Sequence, residues 1–357
     1  MSEAARLDFG RLERIAVFRA LQLGDLLVTV PALRALRMAA PRAEITLVGL
    51  PWARGFAQRY AHLIDGFLEF PGFPGLPETE PRLDALPDFY RAAQGKRFDL
   101  ALQMHGSGAL TNPLMVAMGA RRNAGYMPSG GWQPDAGSFL DWRSDEHEVL
   151  RYLRLLEALG APPQGQHLEF PITAEDRAHL SRDVPELPAP LGYVCVHPGA
   201  RLPSRRWPVQ RFAEVADALA ADGWRIVLTG SGDEKPLVAE VAAAMHAPAI
   251  DTSGRTSLGG LAAMIAGARL LVSNDTGVSH VAAAVGTQSV VVSSGADARR
   301  WAPLDAAKHR MLWADVPCRP CAHVVCPIGH PCALGVTVNA VLEQVNSLCQ
   351  LQGATAA

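Results

Sequence analysis

Between residues 192 and 294 the sequence repeats one pattern with little in between: a short, nearly all-apolar run, an amphipathic stretch, then another apolar run. GYVCVH reads as a strand, VQRFAEVADALAADG as a helix, WRIVLTG as a strand and EKPLVAEVAAAM as a helix. LGGLAAMIAGA, RLLVSND, GVSHVAAAVG and QSVVVSS continue as helix, strand, helix and strand. Apolar runs without polar alternation are strands buried on both faces, and helical crossovers of this length connect parallel neighbours. The pattern therefore predicts an α/β domain with a doubly wound parallel sheet.

The N-terminal half carries the same signature less densely. RIAVFR (residues 14–19) is a strand, ALQLGD a tight turn, and LLVTVPALRALRMAA an amphipathic helix ended by Pro41. EITLVGL (44–50) completes a strand–helix–strand unit. FDLALQM (98–104) is a further buried strand followed by the glycine-punctuated loop HGSG, and HEVLRYLRLLEALG (147–160) is an amphipathic helix closed by a glycine. Five prolines and three acidic residues mark 71–87 as a surface loop. Prolines gather again between 161 and 190, which divides the chain into an N-terminal domain (1–170), a linker (171–190) and a C-terminal domain (191–357). A chain of 357 residues is about twice the usual domain size, in keeping with that division. Two Rossmann-like domains in tandem are expected to face a cleft lined by loops at the C-terminal strand ends.

Composition narrows the function. Apolar residues at 49% exclude a disordered chain. Lys+Arg and Asp+Glu, at 33 and 35, nearly cancel, and neither half is basic, so nucleic acid is not an expected partner. The longest apolar stretch (258–272) is broken by Gly259, Gly260, Gly267 and Arg269, short of a membrane span. The first residues lack the apolar core of a secretory signal, so the expected location is cytoplasmic, where six cysteines are thiols or metal ligands rather than disulfides.

Four turns carry candidate chemistry. In SNDTGVSHVAAAVG a strand runs through Asp275, Thr276 and Gly277 directly into a helix bearing His280. The first N–H groups of a helix lack intrahelical partners and point at whatever sits there, which suits a pyrophosphate; the competing reading is an ordinary N-cap. HPGARLPSRRWP turns sharply after strand GYVCVH through His197 and Gly199 and presents Arg205 and Arg206, whose guanidinium forks match phosphate oxygens. In ALQLGD, Asp25 is either a helix cap or a carboxylate able to take a proton from an attacking hydroxyl. In TGSGDE, Gly230 and Gly232 are followed by Lys235 rather than a third glycine, so the dinucleotide fingerprint is missing and the loop is a solvated turn or a nucleoside contact.

Together, GDLLVTVPALRAL, HPGARLPSRRWP, TGSGDE and SNDTGVSHVAAAVGT, in this order over roughly residues 14–345, resemble glycosyltransferase family 9, which includes the heptosyltransferases of lipopolysaccharide core assembly. The resemblance implies a GT-B fold, with the donor nucleotide in the C-terminal domain and the acceptor in the N-terminal one. It also implies inverting transfer from a nucleotide-activated sugar, typically ADP-heptose. The family's essential aspartate falls on Asp25. Its phosphate-binding lysine falls on Arg205, a departure that keeps the charge but changes its reach. Its donor motif is matched by Asp275, Thr276, Gly277 and His280, and its ribose-binding acid falls on Glu234, with Asp233 the alternative. Gly199, Gly230 and His197 complete the nucleotide side.

On this reading Arg205 and backbone donors neutralise the phosphates, so no metal cofactor is required. The partners are a nucleotide-sugar donor and a glycan or lipid-linked acceptor, the latter implying peripheral association with the inner face of the inner membrane. His105, Asn112 and Arg122 are acceptor-side candidates, although His105 reads equally well as a structural histidine. Cys318, Cys321, Cys326 and Cys332 form C-x2-C-x4-C-x5-C, which reads either as a structural Zn or Fe site or as a structural loop of the kind related family members carry. A GT-B transferase or epimerase using another nucleotide sugar, and a non-catalytic nucleotide-sugar scaffold, are the alternatives, because fold alone does not fix chemistry.

Overall fold

A computed structural model describes residues 6–353, with side chains through Cys349. The chain divides into two compact units, Met1–His167 and Leu168–Ala357. The first runs β1 (Arg14–Phe18), α1 (Leu23–Leu27), α2 (Val30–Ala39), β2 (Glu44–Gly49), α3 (Ala53–Arg59), β3 (Gly66–Glu69), α4 (Leu86–Gly95), β4 (Leu100–Gln103), α5 (Thr111–Val116), β5 (Arg122–Met127), β6 (Phe139–Asp141) and α6 (Glu148–Leu159). The second runs α7 (Ala174–Asp183), β7 (Tyr193–His197), α8 (Val209–Ala221), β8 (Arg225–Leu228), α9 (Lys235–Ala244), β9 (Ala249–Asp251), α10 (Leu258–Gly267) and β10 (Leu270–Asn274). It continues with α11 (Gly277–Val285), β11 (Ser289–Val292), α12 (Ala298–Trp301), β12 (His309–Leu312), α13 (Pro331–Leu334) and α14 (Val338–Gly353).

Each unit holds one six-stranded sheet, in the orders β3-β2-β1-β4-β5-β6 and β12-β11-β10-β7-β8-β9. Every pairing is parallel; Ile15 stands opposite both Ile45 and Leu100, and Cys195 opposite both Val227 and Leu271. Counted within its own unit, each sheet has the strand order 3-2-1-4-5-6, which is that of the Rossmann fold. The winding direction reverses between β1 and β4 and between β7 and β10. In such sheets ligands bind in the crevice outside the carboxyl ends of the strands at that reversal.

The central strands are the ones buried on both faces. β4, β7 and β10 are buried throughout, and β1 everywhere except Arg14. In the first unit Phe18, Phe70 and Phe89 pack edge to face, with ring centres 5.1 and 5.4 Å apart. In the second, Trp207 is fully buried among Val194, Val272 and Phe212.

The structure differs from the sequence reading in two places that matter for the site. The helix expected over LLVTVPALRALRMAA is two helices. Pro31 lies in the first turn of α2, where its missing N–H costs nothing, but its ring does not let an earlier helix run through it. α1 therefore stands alone, and Asp25 lies in its first turn. Within the proline-rich stretch expected as a linker, Ala174–Asp183 forms α7 and packs against α10. A reciprocal cap starts it: the Asp176 amide donates to Thr173 Oγ1 (3.1 Å) and the Thr173 amide to Asp176 Oδ2 (2.9 Å). Among the described residues no helix is long and apolar enough to cross a membrane.

Candidate active site

β1 delivers its chain end into the first unit's crevice through Arg19, whose side chain is 1% exposed. Its Nε donates to the Asp25 carbonyl (2.7 Å), its Nη1 to the Met104 carbonyl and the Tyr152 hydroxyl, and its guanidinium lies 4.4 Å from the centre of the Tyr152 ring. Nη2 stands 3.8 Å from Asp25 Oδ1 and is buried without a hydrogen-bond partner. The other Asp25 oxygen, Oδ2, accepts the Gln22 amide at 3.2 Å. One oxygen thus anchors the carboxylate to the start of α1, and the other lies near a buried cation. Burial raises the Asp25 pKa above the ordinary carboxylate value. The Arg19 charge and the Gln22 amide pull against that rise, and the Glu148 charge reinforces it.

β4 delivers His105 to the same crevice. Its Nδ1 accepts the Ala20 amide (3.3 Å), so its proton resides on Nε2, 3.9 Å from Glu78 Oε1. Burial, then the Arg19 charge, pushes the His105 pKa down to about 3, leaving a neutral ring with a donor at Nε2. Of the three acceptor-side candidates only His105 sits with Asp25. Asn112 is buried and donates to the Tyr126 carbonyl (2.9 Å), tying α5 to β5. Gly108, at φ +85°, makes room for it: a Cβ there would fall 2.5 Å from Asn112 Nδ2. Arg122 begins β5, with its amide bonded to the Asp99 carbonyl ahead of β4, and so lies at the opposite edge of the sheet. Sequence reasoning passed over Arg19, although a cation ending the apolar run RIAVF was visible.

In the second unit β7 ends in His197, which is buried, with Nδ1 3.0 Å from Thr229 Oγ1 and Nε2 3.9 Å from Glu234 Oε2. Burial lowers its pKa, and the Glu234 charge opposes that. Glu234 Oε2 accepts the Ser231 amide (2.8 Å). Its carboxylate packs directly on Gly199, where a Cβ would lie 2.1 Å from Oε1; a Cβ on Gly230 would meet Val238 at 2.8 Å and Glu234 Cβ at 3.3 Å. The two glycines thus hold open the space that Glu234 occupies.

β10 runs into Asn274, whose side chain accepts the Trp207 amide (2.9 Å) and donates to the Pro198 carbonyl (2.7 Å), stitching the HPG turn to the start of α11. Thr276 is the N-cap residue of α11 but makes no side-chain cap hydrogen bond, and its backbone is extended. Asp275 instead accepts from Ser293 Oγ (3.0 Å). Burial raises its pKa, while the Ser293 bond and the Arg205 and Arg319 charges lower it. The Thr276 side chain thus does not cap α11, and the first-turn N–H groups at its positive end receive no bond from it. His280, in the same helix, is 4% exposed with Trp301 edge-on at 6.1 Å. Gly277 is its first residue.

Arg205 ends a single 3-10 turn, Pro203–Arg205, and its Nε is buried without a hydrogen-bond partner. Two anchors hold that turn. Trp207, two residues on, donates through Nε1 to the Val336 carbonyl (3.0 Å). The cysteine-rich segment grips Ser204: its amide donates to the Val324 carbonyl (3.0 Å), its hydroxyl to the His323 carbonyl (2.5 Å), and His330 Nε2 donates to the Ser204 carbonyl (2.7 Å).

The four cysteines are free thiols, and among the described residues no group of three or more His, Cys, Asp or Glu is arranged to hold a metal. Cys332 nonetheless feels the charges of Cys318 and Cys326, so three of the four thiols lie near one another. Cys318 is exposed, Cys332 is buried at α13, Cys326 Sγ accepts the His330 amide (3.2 Å) and Cys321 packs on Gly295. Arg319, which the sequence did not single out, donates to the Ser293 and Ser294 carbonyls (both 2.9 Å) and so shapes the loop beside Asp275.

Paired Rossmann domains of this kind are the GT-B architecture of nucleotide-sugar glycosyltransferases, and this chain is one of them. It belongs to glycosyltransferase family 9 (heptosyltransferase), whose profile it matches over residues 88–331, well over half of its length. It is 25% identical to lipopolysaccharide heptosyltransferase 2 of Escherichia coli K12 over 345 residues, 91% of this chain and 95% of that one. In fold it is similar to a family 9 glycosyltransferase from Veillonella parvula (23% identity, TM-score 0.76, covering 97% and 99% of the two chains). It is likewise similar to E. coli ADP-heptose lps heptosyltransferase II (21% identity, TM-score 0.73, covering 96% and 99%).

Proposed function

We propose that this glycosyltransferase moves a heptosyl group from ADP-heptose to a hydroxyl of a lipopolysaccharide-core glycan, with inversion at the anomeric carbon and Asp25 as general base. The observation that carries the reading is the α11 N-terminus: its capping residue leaves it without a side-chain cap, and Arg205, whose charge acts on Asp275, keeps a buried Nε without a protein partner. Buried polar groups are nearly always satisfied, so an arginine left this way beside an uncapped helix is prepared for an anion. The donor for which the E. coli ADP-heptose heptosyltransferase is named supplies one, a diphosphate.

In this mechanism the diphosphate lies at Thr276, Gly277 and Arg205, and the nucleoside at His197, Gly199, Gly230 and Glu234, whose carboxylate accepts ribose hydroxyls. The bond from the anomeric carbon to phosphate oxygen breaks with an oxocarbenium-like transition state, and the helix terminus and Arg205 take up the charge on the departing diphosphate. The acceptor oxygen forms the new bond from the opposite face and gives its proton to Asp25. Burial makes that carboxylate a stronger base than an ordinary aspartate, and the Arg19 charge opposes that rise. His105, neutral with its proton on Nε2, donates to an acceptor oxygen. Arg205 stands where the family carries lysine and engages two phosphate oxygens at once.

The test is incubation with ADP-heptose and a heptose-deficient core acceptor, products weighed by mass spectrometry, alongside thermal shifts with ADP, UDP and GDP. A heptosylated product and an ADP-selective shift are expected. Stabilisation by UDP or GDP but not ADP would overturn the donor assignment.

A further inference from the structure

Arg205 and Arg206 leave the same short turn but are engaged differently. Arg206 Nε donates to the Ala200 carbonyl (2.9 Å), which ties it back to the HPG turn. Arg205 keeps a buried Nε without a hydrogen-bond partner, and its charge acts on Asp275 at the start of α11. What sends Arg205 that way is the backbone just ahead of it.

In a 3-10 turn each carbonyl receives the amide three residues on. Here the Leu202 carbonyl receives the Arg205 amide (2.9 Å) and the Pro203 carbonyl the Arg206 amide (3.1 Å). The Ser204 carbonyl would be next, but its partner by that rule, the Trp207 amide, donates to Asn274 Oδ1 instead (2.9 Å). Ser204 is 2% exposed, so an orphaned carbonyl there would cost about as much as a lost hydrogen bond. His330 supplies the missing donor from 126 positions away, with Nε2 2.7 Å from the Ser204 oxygen. A carbonyl only accepts, so Nε2 carries the proton.

That carbonyl and the Arg205 amide belong to one rigid peptide plane. His330 holds one edge of the plane and the Leu202 carbonyl the other, which fixes the direction in which the Arg205 side chain departs. His330 is itself held: its amide donates to Cys326 Sγ (3.2 Å), and its backbone is left-handed at φ +61°. Outside glycine that conformation is uncommon and persists where the surroundings impose it. The stem of Arg205 meets a second wall at Gly295, where a Cβ would lie 3.4 Å from Arg205 Cγ and 3.0 Å from Cys321 Cβ. The Cys321 amide closes that wall by donating to the Gly295 carbonyl (2.8 Å).

We infer that His330 is the positioning residue of the diphosphate site: it touches no substrate and aims Arg205 through the Ser204 carbonyl. The inference rests on the diphosphate reading of the preceding subsection and deepens it. The test measures, by calorimetry on the full chain, the Kd for adenosine and for ADP; their ratio isolates what the phosphates contribute. His330→Gly accepts the left-handed backbone and removes the donor. His330→Asn also tolerates that backbone, and its shorter amide stops short of the Ser204 oxygen. Each should cut the adenosine-to-ADP ratio about tenfold with adenosine unchanged within about twofold, and His330→Gln, whose Nε2 reaches as far as the imidazole's, should recover most of it. In an Arg205→Met background His330→Gly should cost ADP nothing further, because both act on one contact. A purely structural histidine would lower the melting temperature and weaken adenosine and ADP alike, or give losses that add to those of Arg205→Met; either result refutes the assignment, as does a wild-type ratio in both His330→Gly and His330→Asn. Wild type binding adenosine as tightly as ADP would overturn the diphosphate site itself, and this inference with it.

Discussion

Gly199→Ala is a one-methyl test of the proposed nucleoside site. The new Cβ would lie 2.1 Å from Glu234 Oε1, 2.4 Å from its Cδ and 2.7 Å from Oε2, where ordinary contact begins at 3.4 Å. Gly199 is not among the glycines with positive φ, so alanine meets no backbone strain and the clash falls on the carboxylate alone. Glu234 must swing away and give up the Ser231 amide (2.8 Å), a helix-start bond of about 0.5–2 kcal/mol. If Glu234 also accepts ribose hydroxyls, ligand binding loses a charged hydrogen bond of about 1.5–3 kcal/mol, or roughly 10- to 150-fold in the Kd for ADP. Calorimetry with ADP, and melting curves without it, read the two effects separately. Glu234→Ala should weaken ADP as much, and Gly199→Ala should cost nothing further in that background, because the clash has been removed. The reasoning is refuted if Gly199→Ala binds ADP like wild type, or if the two losses add.

Asp25→Asn should lower kcat by about 10²- to 10⁴-fold with the Kd for ADP unchanged, and a collapse of ADP binding would exclude Asp25 as the base. Because folding raises the Asp25 pKa, ionising it as pH climbs through that raised value costs stability; Asp25→Asn should therefore melt higher than wild type at pH 7, and the gain should vanish below the unfolded carboxylate pKa. Arg205→Met should weaken ADP about 10- to 150-fold, with Arg205→Lys recovering part of it, whereas equal affinity for ADP and adenosine in wild type would deny Arg205 its anion. His105, with its pKa near 3, should show no titration by NMR between pH 5 and 8 and should keep its proton on Nε2.

The sheet's centre was legible in the sequence and its edges were not, for a physical reason. β1, β4, β7 and β10 lie between neighbours and are buried on both faces, which writes an unbroken apolar run into the chain. β6 and β9 are edge or near-edge strands of three residues with polar ends, and β3 is half-buried throughout; runs that short carry no period to detect. β5, RNAGYM, is hidden differently: Gly125 is there because Gln103 leaves no space, a Cβ falling 2.6 Å from Gln103 Cβ. At the site, the glycine, aspartate and arginine turns were visible because they break local rules. Tyr152, which reaches Arg19 across 133 positions, and Arg319, which shapes the loop beside Asp275, act through contacts that no local pattern encodes.

For Asp25 and Glu234 the sequence posed a choice, cap or functional carboxylate, that the geometry dissolves. Each sits three residues after its cap position and accepts the cap amide with one oxygen, Gln22 to Asp25 Oδ2 and Ser231 to Glu234 Oε2. Capping fixes the rotamer of a short acidic side chain at the carboxyl edge of a sheet, and so aims its second oxygen without a dedicated second support. That oxygen faces Arg19 in one unit and lies over Gly199 in the other. A residue recruited this way serves folding and chemistry with different atoms, so the two jobs are separable by substitution. Asparagine at Asp25 can still accept the Gln22 amide while losing the basic oxygen, which is why Asp25→Asn should lower turnover and leave α1 in place, and Asp25→Ala should disturb both.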